Sequence, residues 1–330
     1  MIYIHGLGHF HPPNEIDNAF LTGLDIGTND EWILERVGIR SRRTVLPLDY
    51  IASTRNADPL ASHAVSTHSN AQTAAEAARM ALARAGLTAQ DIGLVWAGGC
   101  SPQHTIPAEA CKIAAELGIA APSVDVSSAC STFAAHLHLL GSMNPATMPD
   151  YVLLVTAENN TRTVDYRDRS TAVLWGDGSA AAVVSMRVPA RLRVVHTSLT
   201  SDPSGWDKVS IPTGGHFAQQ GTAVQGFAIR RSGQTLNALR GNCRGDKDRL
   251  HFVGHQANLL MLQSVVTRGR IDPERHWFNV DAYGNCGAAG APSVLSQRWD
   301  QLPEGGEIAV VVVGSGLTWG GALLQVGEIA

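Results

Sequence analysis

The chain has 330 residues, 44% of them hydrophobic and 16% charged, which suits a globular protein with much buried surface; its net charge of −4 gives no electrostatic case for nucleic-acid binding. No apolar run approaches the roughly 18 residues of a membrane span, and the N-terminal "MIYIHGLGHFHPPNEID" has neither the basic nor the long apolar region of an export signal. Five cysteines (100, 111, 130, 243 and 286), odd in number and without a C-x-x-C pair, fit a reducing cytoplasm better than a disulfide framework.

In chain order, "HGLGHFHPP" (5–13) carries His5, His9 and His11 across a strand end, but no carboxylate or cysteine stands at ligand spacing, so no metal site is expected. The spacing of apolar residues predicts a helix over 71–87, a buried strand over 92–98 and a helix over 108–118 closed by glycine. A strand follows at 123–128, a helix from about 130, and strands at 151–158 and 171–186. "LHFVGH" (250–255), "NLLMLQSVVTRG" (258–269), "HWFNVD" (276–281), "GAPSVLSQRWD" (290–300) and "EIAVVVVG" (307–314) then repeat the strand–helix alternation. Near-continuous apolar strands alternating with helices predict an α/β fold, with mostly parallel sheets covered by helices on both faces.

The halves also repeat in letters. "VDVSSACSTFAA" (124–135) answers "VDAYGNCGAAGA" (280–291), 156 residues on. "DIGLVWAGGC" (91–100) answers "DRLHFVGHQA" (248–257), and "DYVLLVTAEN" (150–159) answers "EIAVVVVGSG" (307–316), both 157 residues on. Three matches in order at one offset point to an internal duplication, with halves expected at 1–186 and 187–330.

Active atoms in such sheets gather where strands end and loops lead into helices. Cys130 stands at the opening of a predicted helix, where free N–H groups favour a thiolate and can hold an oxyanion. A small buried hydrophobe is the competing reading, and it is the one expected for Cys100, Cys111, Cys243 and Cys286. His255 follows an apolar strand and could act as base or donor; Asn285, in "YGNCG", could donate from its amide or simply make a turn. "VVVVGSGLTWGG" lacks dinucleotide-binding spacing, and no G-x-S-x-G occurs.

Together "SSACSTF", "GHQAN", "YGNCGAAGAP" and "GSGLTWGGALL" resemble the cysteine, histidine, asparagine and glycine motifs of the thiolase-fold condensing enzymes. The closest likeness is to the β-ketoacyl-acyl-carrier-protein synthase III family, from "TNDEWILERVGIRSRR" (28–43) to the C-terminal glycines. The resemblance implies a thiolase-like five-layered αβαβα architecture with two mixed, mostly parallel sheets, in a homodimer. It further implies that Cys130 takes an acyl group from a coenzyme A or carrier-protein thioester. His255 and Asn285 would then stabilise the enolate of decarboxylating malonyl-acyl carrier protein, with the N–H groups of Cys130 and Gly316 as oxyanion hole. Coenzyme A and phosphopantetheine enter as substrates, and no cofactor is implied. By the same resemblance Trp32, Arg36 and Arg169 bind coenzyme A and Asn258 contacts pantetheine, while Arg231 and Arg268 meet the acidic carrier protein. Leu260 departs from the family, replacing a basic residue there. Ile106 stands where short-chain members have an aromatic residue, supplied by the partner subunit, that floors the acyl pocket; the smaller side chain predicts room for longer donors. Acyl transfer to a hydroxyl or amine, and specialised condensation of two acyl chains of the resorcinol or pyrone type, stay open as alternatives. A silent partner subunit need not keep Cys130, His255 and Asn285 together.

Overall fold

The computed structural model describes residues 1–327. Nine strands form its main sheet: β1 (Ile2–Phe10), β2 (Ile92–Gly98), β3 (Ser123–Asp125), β4 (Tyr151–Glu158), β5 (Gly178–Ser185), β6 (Leu192–Ser201), β7 (His251–Gly254), β8 (Glu307–Gly314) and β9 (Thr318–Val326). Their order across the sheet is β7-β8-β9-β6-β1-β5-β4-β2-β3. The principal helices are α1 (Asp30–Val37), α2 (Asn70–Ala85), α3 (Glu109–Leu117), α4 (Thr132–Gly141), α5 (Gly221–Gly241), α6 (Leu259–Gly269) and α7 (Gly290–Gln297).

Both faces of β4, β5 and β8 are buried, and alternate residues of β4 and β8 belong to different cores. On β8, Ile308, Val310 and Val312 face the same core as Phe133, Leu137 and Leu140 of α4 and Val294 and Leu295 of α7. Ala309 and Val311 face the other way, onto Leu236 and Leu239 of α5 and Leu262 and Val265 of α6. On β4, Val152 and Leu154 join the α4–α7 core, whereas Leu153 and Val155 meet the alanine face of α2. The period of two thus sorts each strand between a central and an outer helix layer. Five layers result: α2 and α3, one half-sheet, α4 and α7, the other half-sheet, α5 and α6.

Four sequence expectations change. The half-sheets are joined, because β1 and β6 pair over Ile2–Ile4 and Leu192–Val194. Parallel pairing is confined to the flanks, β2 with β3 and β4, and β7 with β8, because the chain returns antiparallel after β4 and β8. The strand expected over 171–186 begins only at Gly178, after a helical turn at Arg169–Ala172. The strand expected at 276–281 does not form. Trp277 N–H still bonds to the Phe252 carbonyl at 2.9 Å, but the Gln256 side chain then takes the N–H groups of Asn279 and Val280, at 3.0 and 3.3 Å. Val280–Tyr283 coils into a helical turn, so the match between "VDVSSAC" and "VDAYGNC" joins unlike structures. The other two matches join like ones, β2 with β7 and β4 with β8, each of the first pair following a 3-10 turn.

Candidate active site

Cys130 lies two residues before α4, which starts at Thr132 and not at the nucleophile. Hydroxyls explain the delay. Ser131 Oγ donates to the Ser128 carbonyl at 2.6 Å, and Ser128 N–H donates to Thr132 Oγ1 at 2.9 Å, closing a tight turn ahead of the helix. Within it Ala129 takes φ = 45°, a left-handed conformation that costs a non-glycine residue roughly 1 kcal/mol. Gly314, the last residue of β8, backs this turn: a Cβ there would lie 2.8 Å from Ser131 N and 3.0 Å from the Ser128 carbonyl oxygen.

The Cys130 sulfur sits 3.3 Å from that of Cys100, and the His255 imidazole stands near enough to act on its charge. Its pKa is pushed down to about 5, first by the Cys100 hydrogen bond, then, against the cost of burial, by the His255 imidazole and by its own N–H. These surroundings favour the Cys130 thiolate over the thiol. Cys100, expected to be a bland apolar cysteine, is instead its sulfur partner, with its own pKa driven well up. Beneath Cys100 lies the fully buried Glu158, whose Oε1 and Oε2 accept from Cys100 N–H at 3.1 and 3.0 Å and whose Oε1 accepts from Ala288 N–H at 2.8 Å. Burial first, and then the Cys130 charge, raise the Glu158 pKa to about 8. "TAEN" gave no sign of this; an acidic residue ending a strand of otherwise apolar letters was the available signal.

His255 follows β7 directly. Gln256 fixes its loop, donating from Nε2 to the Gly254 carbonyl at 2.7 Å while its Oε1 holds Asn279. Asn285 is clamped by backbone bonds to Leu174 and Gly176, and its Oδ1 accepts from Gly287 N–H at 3.0 Å, which turns the amide NH2 away as the donor end. Asn285 bridges to Trp175, a wall of the same cavity that Cys130 lines. Gly316, at φ = 123°, ends the Gly314–Gly316 turn; its neighbour Ser315 also lines that cavity. The cavity measures about 90 Å³, and Cys100, Trp175, Val209, Ile211 and Phe217 bound it beside Cys130, with the Trp175 and Phe217 rings edge to face at 4.8 Å.

The remaining expected residues lie elsewhere. Arg36 and Arg169 each stack on Trp32, with Cζ 4.9 Å from the ring centroid. Asn258 caps α6: its Oδ1 accepts from Leu260 and Met261 N–H at 2.9 and 3.1 Å, and its Nδ2 donates to the Arg36 carbonyl at 3.2 Å, which leaves one amide N–H for a ligand. Ile106 is 82% exposed and does not line the cavity of its own chain. Arg231 lies half-buried over Trp319, 4.4 Å from its centroid, while Arg268 is exposed in the last turn of α6. His5, His9 and His11 are spent separately, on Val188, Ser296 and Asp177, and among the described residues no group of three His, Cys, Asp or Glu could hold a metal ion.

A duplicated α/β fold that brings a cysteine of low pKa, a neighbouring imidazole and a largely apolar cavity together defines an acyl-transferring condensing enzyme of the thiolase fold. Two family descriptions match: 3-oxoacyl-[acyl-carrier-protein (ACP)] synthase III over 124–203, which spans Cys130, and its C-terminal part over 245–326, which spans His255, Asn285 and Gly316. The β-ketoacyl-[acyl-carrier-protein] synthase III of Oceanobacillus iheyensis is 32% identical, over 99% of both chains. The crystal structure of 3-oxoacyl-[acyl-carrier-protein] synthase III from Aquifex aeolicus superposes with a TM-score of 0.87 at 27% identity, covering 98% of this chain and 100% of that one. The corresponding Pseudomonas aeruginosa structure gives 0.85 at 29% identity, covering 100% and 99%. The chain belongs to the β-ketoacyl-acyl-carrier-protein synthase III family.

Proposed function

We propose that this protein carries out the initiating decarboxylative condensation, with Cys130 as nucleophile. The thiolate attacks the carbonyl of an acyl-coenzyme A or acyl-carrier-protein thioester, and the N–H groups of Cys130 and Gly316 hold the oxyanion. The released thiol departs and malonyl-acyl carrier protein enters. Loss of CO2 leaves an enolate whose oxygen accepts hydrogen bonds from His255 and the Asn285 amide. Its carbon attacks the acyl-Cys130 carbonyl, the C–S bond breaks, and a β-ketoacyl thioester leaves. The observation that carries this reading is Cys130 on the wall of a largely apolar cavity, in a turn ahead of a helix, with surroundings that include His255 and favour its thiolate. Trp32, Arg36 and Arg169 form the coenzyme A clamp, Asn258 guides pantetheine with its remaining amide proton, and Arg231 and Arg268 face the carrier protein. The scheme uses thioester substrates and no cofactor.

A cavity of about 90 Å³ takes roughly three water-sized groups, an acyl tail of a few carbons. Longer donors need a deeper floor, and in a homodimer the exposed Ile106 would form it from the partner side. The exposed Val124 on edge strand β3 supports that dimer, since an open apolar edge invites pairing. No helix among the described residues is long and apolar enough to cross a membrane, and the reactive thiols suit the reducing cytoplasm.

The test is a mass-resolved panel of acyl-coenzyme A donors followed by malonyl-acyl carrier protein. Cys130→Ala should form no adduct; His255→Ala should load, more slowly, and release no CO2. Octanoyl loading faster than acetyl supports the Ile106 floor, and clear acetyl preference removes it. Ester or amide formation without CO2 would replace condensation by simple acyl transfer.

A further inference from the structure

We infer that the Cys100 thiol is a second catalytic group: its S–H donates to the Cys130 sulfur, holding it as a thiolate before acylation and again as the leaving group when the acyl chain departs. The sulfurs stand 3.3 Å apart, inside hydrogen-bond range for sulfur, in the cavity where acyl transfer would occur. The Cys100 backbone is anchored there, its N–H donating to both oxygens of the buried Glu158. Glu158 Oε1 is held in turn by Ala288 N–H at 2.8 Å. Gly99 and Gly287 leave the carboxyl its room: a Cβ at Gly99 would lie 3.0 Å from its carboxyl carbon, and one at Gly287 would lie 2.6 Å from Oε1.

One proton is shared between two sulfurs, and the surroundings decide which keeps it. Cys130 faces the His255 imidazole and its own N–H, both of which favour a negative sulfur. Cys100 faces the Glu158 carboxyl and the Cys130 charge, both of which oppose one. Cys100, His255 and, at longer range, Glu158 are the titratable groups that bear on Cys130. Either sulfur could donate across 3.3 Å; we take Cys100 as the donor, because the Glu158 carboxyl lies on its side of the pair and the His255 imidazole on that of Cys130. In acylation the thiolate uses its electron pair to form the new C–S bond, and Cys100 keeps its proton. In condensation the enolate carbon takes the acyl carbon, the C–S pair returns to the Cys130 sulfur, and the same S–H receives it. No net proton transfer is needed at either sulfur. A hydrogen bond to a full charge that strengthens as that charge forms acts on the transition state of the second step.

The second half of this inference rests on the proposed condensation; the first half does not, and the experiment separates them. Site-resolved iodoacetamide labelling of Cys130 as a function of pH reads the thiolate without any substrate. Cys100→Ala should raise the midpoint by about one to two pH units, the worth of one hydrogen bond to a charged group. Cys100→Ser should restore most of that shift, since a hydroxyl donates in the same way. Should Cys100→Ala fail to fold, Cys100→Val gives the donor-free midpoint. In single-turnover condensation from preloaded acyl-enzyme, Cys100→Ala should be slowed roughly tenfold and Cys100→Ser much less. An unchanged midpoint in the donor-free variant, or a Ser variant that behaves like Ala, overturns the inference. If labelling shifts as expected while wild-type protein accepts no acyl group, the sulfur pair stands and the proposed function falls.

Discussion

Gly314→Ala tests whether the end of β8 sets the nucleophile turn. The added methyl carbon would stand 2.8 Å from Ser131 N, 2.9 Å from Ser131 Oγ and 3.0 Å from the Ser128 carbonyl oxygen. Two of these three are backbone atoms, and the turn is stiff: Ser131 N–H bonds the Ser128 carbonyl at 3.0 Å and Thr132 N–H bonds the Ala129 carbonyl at 3.0 Å. Ordinary contact begins near 3.5 Å, so the turn must yield by roughly half an ångström. Overpacking of this kind costs about 1–3 kcal/mol of stability. Cys130 lies between the two displaced residues, and a 1 Å misplacement of a reacting group costs about a hundredfold, so half of that predicts a loss near tenfold. The assay is acyl loading on Cys130 followed by intact-protein mass spectrometry, beside a thermal melt. Gly226→Ala is the control, since nothing stands within 4 Å of a Cβ there; it should load normally and melt no lower. A Gly314→Ala protein that loads at the wild-type rate would refute the reasoning, whatever its melting point.

Glu158→Gln should change how stability depends on pH. With its folded pKa raised from 4.5 to about 8, Glu158 keeps a proton that the unfolded chain has released, and so removes about 1.4 kcal/mol per pH unit as pH rises through that range. Cys130, lowered from 9.0 to about 5, acts oppositely from about 5 to 9, and in the native protein the two largely offset. Glutamine cannot ionise, so the variant's stability relative to wild type should climb from about pH 5 to 8 in urea titrations; a constant difference would contradict the assignment. Arg169→Ala opens one face of Trp32 and removes the stacked cation, so coenzyme A should bind with quenched Trp32 fluorescence but several-fold more weakly; unchanged affinity would separate Arg169 from the ligand. Asn258→Ala loses two cap bonds to α6 and should cost about 1 kcal/mol in the thermal melt, with little change in loading rate at saturating donor. A stability within error of wild type would show those bonds to be idle.

The residues legible from sequence were those whose local context announces them. Cys130 precedes a helix, His255 ends a strand, and the apolar runs of β4 and β8 lie at one offset with eight residues each. Cys100 was not legible. Its approach to Cys130 depends on the parallel register of β2 and β3, Val95 opposite Ser123 and Ala97 opposite Asp125, which carries the two following loops side by side. No spacing along the chain encodes that pairing. The strand expected at 276–281 failed for a related reason, since its apolar letters suit a strand while a distant side chain, Gln256, claims the N–H groups of Asn279 and Val280. Helix α5 went unannounced because glycines at 221, 226, 233 and 241 lower its helical propensity, and its packing onto β8 and β9 makes up the difference.

The duplication explains why the site is built from unlike parts on like frames. Glu158 and Gly314 are the last residues of β4 and β8, 156 residues apart and so one short of the offset at which the letters match, and they serve the site differently. At the first, a long buried carboxyl reaches across and fixes Cys100 by its backbone. At the second, the side chain is missing, and the nucleophile turn fills the space it would have taken. One strand end pushes a partner toward the sulfur and the other makes room for the turn that carries it. Cys130 thus meets its sulfur partner Cys100 by way of one strand end and finds room for its turn at the other.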